Sequence, residues 1–310
     1  MKAPDARFPP PIALGCGNFG GIGSAPELFG HGESPEQAFE IMDAAWAGGI
    51  HWFDTADAYG GGRSESVIGK WIRATGNRPQ ITTKTYNPMD AGADRGLAPD
   101  RIRRQIASSL GRLGVDRVDL YLAHEFDPET PVAETMAAFT ALREGGTIDT
   151  YGVSNFDARQ VEEALTHGAP ALIQNEYSLL ARGDEADVLP LCAERGVRYQ
   201  AFSPLAGGWL TGKYRPGQAH PSGSRMTLRP EPYLHLDDAR VYSGLEQLAA
   251  EAERRGTTSA ALALAWVLAH PEVSGIVVGP RRPDHLEPAL VALSIDLSQD
   301  ERDELASFFT

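Results

Sequence analysis

Apolar and polar positions along this chain follow two alternating rhythms. Short runs rich in apolar and β-branched residues recur, and between them apolar residues return every three or four positions. The strand-like runs fall at Ile12–Gly17, His51–Ala56, Gln80–Thr85 and Arg117–His124, then at Ile148–Asn155, Leu172–Tyr177, Val197–Ser203 and Gly275–Gly279. Several are apolar almost throughout, as strands covered on both faces are. The helical stretches have legible ends. Ser34-Pro35-Glu36-Gln37 reads as a capping box with proline at the first helical position, and Thr130-Pro131 reads as a similar start. Asp157 caps a helix that stops at Gly168, and Ser298 with Glu301 caps the last one. Ser259 to Ala269 is apolar nearly all round, which predicts a deeply packed helix.

About eight such strand–helix units with parallel strands close most simply into an α/β fold of the (β/α)8 TIM barrel type, because right-handed crossovers put every helix outside. An open doubly wound sheet is the alternative, and it asks for a glycine-rich turn after the first strand. Gly15-Cys16-Gly17-Asn18-Phe19-Gly20 meets that spacing only in part. The 310 residues contain no linker and no repeat beyond the βα rhythm, so one barrel domain over 1–310 is expected. The irregular stretch 205–236, rich in Gly, Pro and His, lies between the seventh strand and its helix. A loop this long in a compact domain is usually functional, here over a cofactor.

Composition narrows the function classes. With 42% hydrophobic and 23% charged residues the chain is globular rather than disordered. A net charge of −14 argues against nucleic-acid and anionic-membrane partners, while leaving room for a local basic pocket. Cys16 and Cys192 lack any metal-binding or disulfide spacing, so no metal is expected and a reducing compartment fits. The opening MKAPDARFPPPIALG has no apolar core of a secretory signal, and the longest apolar run is far short of a membrane span. A cytoplasmic location is therefore expected, with a small molecule as partner. Nothing in the pattern specifies an oligomer.

In a barrel, chemistry gathers at the carboxyl ends of the strands. Those ends carry Asp54 and Tyr59 after strand two, Lys84 at the end of strand three and His124 at the end of strand four. A tyrosine is a poor acid, with an unperturbed pKa of about 10, and a neighbouring ammonium lowers it by stabilising the phenolate. A buried lysine needs a partner of its own, which Asp54 supplies. His124 can hydrogen-bond a carbonyl oxygen and hold it towards the tyrosine hydroxyl. The set is a proton donor aimed at a developing alkoxide. Taken singly, His124 reads as a packed core histidine, and Asp54 and Tyr59 as turn residues of DTADAYGGG. Lys84 is harder to dismiss, since central strands seldom turn a lysine inward without a partner.

The same residues carry a resemblance. Trp52–Gly60 (WFDTADAYG), then Ser64-Glu65 and Gly69, Lys84 in ITTKT, Asp119–His124 (DLYLAH), Gly152–Phe156 (GVSNF), Gln174 and Phe202–Leu205 (FSPL) together resemble the aldo-keto reductase family. Order and spacing fit from about Ile12 to Leu290. The resemblance implies a barrel that binds NADP(H) in extended form without a Rossmann domain, with NAD(H) as the other nicotinamide option. It implies the tetrad Asp54, Tyr59, Lys84 and His124, and a nicotinamide carboxamide held by Ser154, Asn155 and Gln174, whose donors and acceptors suit an amide. Phe202 stands where the family often stacks a tyrosine on the nicotinamide. Ser203, Leu205, Gly207, Leu210 and Lys213 correspond to the loop that approaches the pyrophosphate. Gly279, Arg281, Arg282 and His285 correspond to the reader of the 2′-phosphate, a task that bidentate arginines suit. Pro288 falls about a turn and a half into the helix that follows and is expected to kink or shift it.

Asn18, Phe19, Tyr86, Phe126 and Trp209 complete the expected rim, aromatic walls with one polar group, fit for an aromatic or medium-sized aldehyde or ketone or a sugar. The sequence stops at Thr310, directly after its last helix. The extra C-terminal loop of long-tailed relatives is therefore expected to be missing and the pocket to be open. The activity implied is reduction of aldehydes or ketones to alcohols, with Tyr59 as proton donor. Three alternatives use the same residues: an NAD(P)-dependent sugar or alcohol dehydrogenase, a Schiff-base enzyme acting through Lys84, and a non-catalytic NADPH-binding subunit. Asp54 argues against the Schiff base, because a paired lysine stays charged.

Overall fold

In the computed structural model, which describes residues 8–92 and 94–310, eight parallel strands close into a barrel in chain order. They are β1 (Ile12–Gly15), β2 (Trp52–Asp54), β3 (Gln80–Thr85), β4 (Val118–Ala123), β5 (Ile148–Ser154), β6 (Leu172–Glu176), β7 (Arg198–Phe202) and β8 (Val273–Val278). Around them lie α1 (Pro35–Ala47), α2 (Arg63–Thr75), α3 (Pro99–Leu113), α4 (Val132–Glu144), α5 (Ala158–His167) and α6 (Val188–Arg195). After β7 come the single turn α7 (Arg225–Leu228), then α8 (Ala239–Arg254) and α9 (Ser259–Leu268), and after β8 come α10 (Glu287–Ala292) and α11 (Gln299–Ser307). The (β/α)8 barrel is thus the fold, and no glycine-rich dinucleotide turn is needed to build it. The opening segment read above for a secretory signal begins with residues 1–7, which lie outside the described residues. Among the described residues, no helix is long and apolar enough to cross a membrane.

Most of the strand-like runs in the sequence overshoot the hydrogen-bonded strands at their carboxyl ends. Cys16, Gly17, Thr55, His124, Asn155, Ser203 and Gly279 have already left the ladder. Their apolar or β-branched flanks continue the strand pattern, but their backbones turn to make the loops of one rim. The capping boxes at Ser34, Asp157 and Ser298 form as expected, each with its reciprocal Gln or Glu bond. Thr130 does not cap α4. Its hydroxyl donates instead to Asp127 at 2.7 Å, and Pro131 takes the cap position without a side-chain bond. Pro288 does not break a helix either. α10 begins at Glu287, so Pro288 sits in a first turn, where a missing N–H has no intrahelical acceptor to lose.

Period-two alternation decides which strand residues enter the barrel. Ala13, Trp52, Leu120, Leu122, Leu172 and Val277 form an inner apolar cluster, with Phe202 against it. Their chain neighbours Phe53, Tyr121, Ile173 and Ile276 belong to the outer core under the helices. The same alternation turns Asp54 inward two residues after Trp52, and Lys84 inward two residues after Thr82, which accepts the Trp52 indole N–H at 2.7 Å. The inner apolar layer therefore supports a polar one at the carboxyl rim.

Between Tyr59 and α2 stand Gly60, Gly61 and Gly62, with φ of 58°, 64° and 84°. Three successive left-handed residues are open only to glycine at little cost, and they let the chain pass from Tyr59 straight into α2.

Behind β3 lies a buried ionic layer. Thr83 donates to Glu65 at 2.6 Å, Arg112 donates to the other Glu65 oxygen at 2.7 Å, and Thr85 donates to Asp57 at 2.7 Å while accepting from Arg101 at 2.8 Å. Burial pushes the Asp57 carboxyl up to about 7, against the opposing Thr85 hydrogen bond. An acid raised in the folded state binds its proton more tightly there than in the unfolded chain. The stability this gives is full below about pH 4 and is lost as pH rises towards 7, by up to about 4 kcal/mol. Replacement Asp57→Asn is expected to flatten the pH dependence of stability across this window. Urea unfolding at pH 5 and pH 8 checks it, and equal pH slopes for the two proteins would contradict it.

Candidate active site

The turn that follows β2 is fastened to β3 by its backbone. The Thr55 N–H donates to the Thr82 carbonyl at 2.8 Å, and the Asp57 N–H to the Lys84 carbonyl at 3.0 Å. This docking carries Tyr59 over the end of β3, where Lys84 points up from inside. The Lys84 ammonium donates to Asp54 Oδ1, to the Thr55 carbonyl at 3.0 Å and to the Tyr59 hydroxyl at 3.5 Å. Its three N–H groups are therefore all assigned. The second Asp54 oxygen accepts from Gln174 Nε2 at 2.8 Å. The Lys84 and Asp54 side chains are 1% and 3% exposed, so this pair is almost wholly out of water.

His124, just past β4, places Nε2 at 3.4 Å from the Tyr59 hydroxyl, and its Nδ1 lies 3.4 Å from Asn87 Nδ2. An amide nitrogen can only donate, so Nδ1 accepts and the ring proton resides on Nε2, facing Tyr59. Burial and the Lys84 charge both hold His124 well below the usual imidazole range, which keeps the ring neutral. Burial pulls Lys84 down, but Asp54 and Tyr59 outweigh it and leave the ammonium held above its ordinary value.

The expectation that Lys84 lowers the Tyr59 phenol needs correcting. Burial is the largest influence and raises it. The Lys84 charge opposes that without reversing it, and Asp54 adds to the rise. In a site this dry, the cost of desolvating a phenolate exceeds the help of one ammonium already shared with a carboxylate. Tyr59 therefore keeps its proton at neutral pH.

These groups open into a cleft of about 1350 Å³ that runs along the rim. Asp54, Tyr59 and His124 line it, together with Ser154 at the end of β5 and Asn155 after it, Gln174 on β6, Phe202 at the end of β7, and Ser203, Leu205, Gly207 and Lys213 after it. Gly279, Arg281, Arg282 and His285 line it after β8, and Asn18 after β1. Lys84 lies beneath the floor. Asn155, Ser203 and Ala206 adopt positive φ of 58°, 53° and 48°, and all three sit on the β5 and β7 rim loops. Such backbone persists only where its surroundings over-determine it. Asn155 is held by donation to the His124 carbonyl at 2.8 Å and to Ser154 Oγ at 3.2 Å. A Cβ on Gly207 would lie 2.5 Å from the Tyr233 ring, so only glycine leaves that part of the cleft open.

Besides Lys84, five expected site residues are absent from the cleft lining. Phe19, Trp209 and Leu210 are 0% exposed and belong to the core. The Trp209 ring packs on Tyr214 and Tyr242, at 4.7 and 5.6 Å between centroids. Phe126 meets Phe156 edge-on, and Tyr86 packs against the core from the side. Phe19 and Trp209 are withdrawn into the core, where large rings gain most from burial, whereas Tyr86 and Phe126 stay half-buried at the rim next to Asn87 and Glu125. The lining contributed after β1, β3 and β4 includes the polar Asn18, Asn87 and Glu125.

Several lining residues escaped sequence reasoning. Asn87 and Glu125 lie next to recognised motifs but in none. Glu33 is buried and bonds Arg281 at 2.6 Å, and Arg281 also donates to the Gly223 carbonyl. Arg225 reaches back from α7 to the Asn18 side chain. These last contacts join residues far apart in the chain, and no local pattern announces them.

A family-wide sequence model described as the Aldo/keto reductase family matches residues 11–309. The chain is 35% identical over 290 residues to the uncharacterized oxidoreductase YrpG of Bacillus subtilis, covering 88% of this chain and 86% of that protein. It is 34% identical over 270 residues to an NADH-specific methylglyoxal reductase of Escherichia coli, covering 81% and 80%. Among solved structures, a glycerol dehydrogenase from Gluconobacter oxydans superposes with a TM-score of 0.83 at 26% identity, over 99% of this chain and 92% of that one.

The buried pair has a measurable signature. Removing one partner strands the other charge, so Lys84→Met is expected to cost about 3–5 kcal/mol, and Lys84→Met with Asp54→Leu to recover much of it. Urea unfolding of both variants at neutral pH checks this. A single variant as stable as the parent would show that the pair carries no such strain.

Proposed function

This chain belongs to the aldo/keto reductase family and is an oxidoreductase, and from that premise we propose that it reduces aldehydes or ketones to alcohols with NADPH, Tyr59 being the proton donor. The observation that carries this reading is the hydrogen-bonded line Asp54–Lys84–Tyr59–His124, closed to water below and open to the cleft at Tyr59 and His124.

The cleft suits a nicotinamide dinucleotide by what it leaves unused. Among the described residues no donor reaches the side-chain oxygens of Asn155 or Gln174, although both residues line the groove. Two acceptors at neighbouring strand ends are what the amino group of a carboxamide requires. Asn155, Gln174 and Ser154 would hold that group, and the Phe202 ring would lie against the nicotinamide face. Ser203, Leu205, Gly207 and Lys213 would follow the pyrophosphate, with Arg281, Arg282 and His285 at the adenosine end. The 205–236 loop would close over it, through the Arg225–Asn18 and Arg281–Gly223 contacts. When bound, the cofactor supplies the hydride.

The chain's own residues supply the rest. His124 Nε2–H receives the carbonyl oxygen and holds it beside the Tyr59 hydroxyl. Tyr59, still protonated at neutral pH, gives its proton as negative charge develops on that oxygen. The Lys84 ammonium steadies the phenolate left behind, and Asp54 keeps Lys84 charged. This engagement also weakens the Schiff-base reading, since a free amine is what that chemistry needs. Oxidation of an alcohol or sugar uses the same atoms in reverse, and the likeness to a glycerol dehydrogenase favours testing that direction too.

With a reactive aldehyde, Tyr59→Phe is expected to lower kcat by about 10²–10⁴-fold while NADPH affinity is kept. Following NADPH oxidation and, separately, cofactor binding by fluorescence checks this. Equal turnover by the variant would remove Tyr59 from the mechanism. In the same titrations NADPH is expected to bind more tightly than NADH, with Arg281→Ala and Arg282→Ala narrowing the gap. Parity in the parent protein would make NAD(H) the working cofactor.

A further inference from the structure

β4 ends at Ala123, and two residues later Glu125 opens into the same cleft as Tyr59 and His124. Nothing in the proton relay requires it. Asp54, Lys84, Tyr59 and His124 already form a continuous line. The Glu125 carboxyl is half-buried, and its one neighbouring donor is the Asn155 amide at 3.4 Å, which is already committed to the His124 carbonyl at 2.8 Å. Among the described residues no lysine or arginine pairs with it. The cations of the cleft, Lys213, Arg225, Arg229, Arg281 and Arg282, stand on the segments after β7 and β8, and β8 lies across the closed barrel from β4. Burial alone has pushed this carboxyl up to about 7. A carboxyl that lines the cleft, half withdrawn from water and held only by one long contact to a shared amide, has an oxygen free to accept a hydrogen bond from a ligand. Asn18 and Asn87, which line the same cleft, are polar, and the half-buried Tyr86 lies within reach of the Glu125 charge.

We propose that Glu125 reads the substrate, accepting a hydrogen bond from a hydroxyl close to the reacting carbonyl and repelling substrates that carry a carboxylate in its place. The inference rests on the carbonyl-reductase reading and adds a substrate class to it: small uncharged hydroxyaldehydes and hydroxyketones. A hydroxyl donor satisfies the waiting oxygen. A deoxy analogue leaves it unpaired, which is how a site built for hydrogen bonding discriminates most strongly. An anionic substrate meets a like charge in a cleft where water screens little.

The ionisable groups around Glu125 leave it as the one that changes charge near neutrality. His124 beside it is neutral, and Lys84 below is matched by Asp54. Tyr59 keeps its proton. Tyr86, from the loop after β3, is held above its ordinary value by burial, with Asp127, Glu125 itself and Glu129 adding to the rise and Arg95 opposing it. Repulsion of carboxylates is therefore present above about pH 7 and fades below it.

Two matched pairs test the proposal with NADPH: glyceraldehyde against propanal, and succinic semialdehyde against butanal. The parent protein is expected to favour glyceraldehyde in kcat/KM, and Glu125→Leu to shrink that ratio by about tenfold or more, the size of a hydrogen bond to a charged group. Glu125→Gln, nearly isosteric, is expected to raise the succinic semialdehyde to butanal ratio about tenfold at pH 8 and to change it little at pH 6. In the parent that ratio should rise as pH falls through 7, and in Glu125→Gln it should stay flat. NADPH titration of each variant reports whether the cleft is intact, and if Glu125→Leu does not fold, Glu125→Gln carries the test alone. Turnover of none of the four aldehydes by the parent would overturn the carbonyl-reductase reading itself. Turnover with ratios equal in parent and variants would overturn the role of Glu125 and leave that reading standing.

Discussion

An ammonium and a carboxylate almost wholly removed from water have few arrangements open to them. Lys84 and Asp54 satisfy one another inside the mouth of the barrel, the other two ammonium N–H groups are taken by Thr55 and Tyr59, and the second Asp54 oxygen accepts from Gln174. The cost of dehydrating the pair is recovered only if all of these partners stay where they are. The turn after β2, the inward register of β3 and the side chain of Gln174 on β6 are in this way held to one geometry. Tyr59 inherits that geometry, and through Tyr59 so does His124.

The barrel was legible because its signals are local. Strand runs, capping residues and a polar residue two places after an inward apolar one can be read along the chain. Asp54 after Trp52 and Lys84 after Thr82 are examples. The site's supporting contacts were not legible, because they join distant segments: Asn87 to His124, Glu33 to Arg281, Arg225 to Asn18. Aromatic side chains misled for a different reason. Phe19 and Trp209 lie on loops past strand ends, where a ring can face a ligand or fold under a loop, and sequence spacing is the same for both. The direction in which Tyr59 shifts was also beyond the sequence, since it turns on how dry the pocket is.

The cleft is electrically divided although the chain as a whole is strongly acidic. Its lysine and arginines stand on the β7 and β8 loops, and arginine also pairs there with the buried Glu33. Its reacting side carries one matched ion pair, a neutral histidine, a protonated phenol and an unpaired carboxyl. A long ligand with an anionic end and a neutral end has only one favourable orientation in such a field. The orientation places its neutral end against Tyr59.

The run of glycines after Tyr59 has a mechanical side. Because α2 starts at Arg63, only three residues separate Tyr59 from a rigid rod, and Gly69 on that rod lets it press closely against the end of α3 at Arg112 and Leu113. The tyrosine thus rides on the seating of two outer helices rather than on a pliable loop. Alterations where α2 meets α3, on the outside of the barrel, become adjustments to where the phenol points.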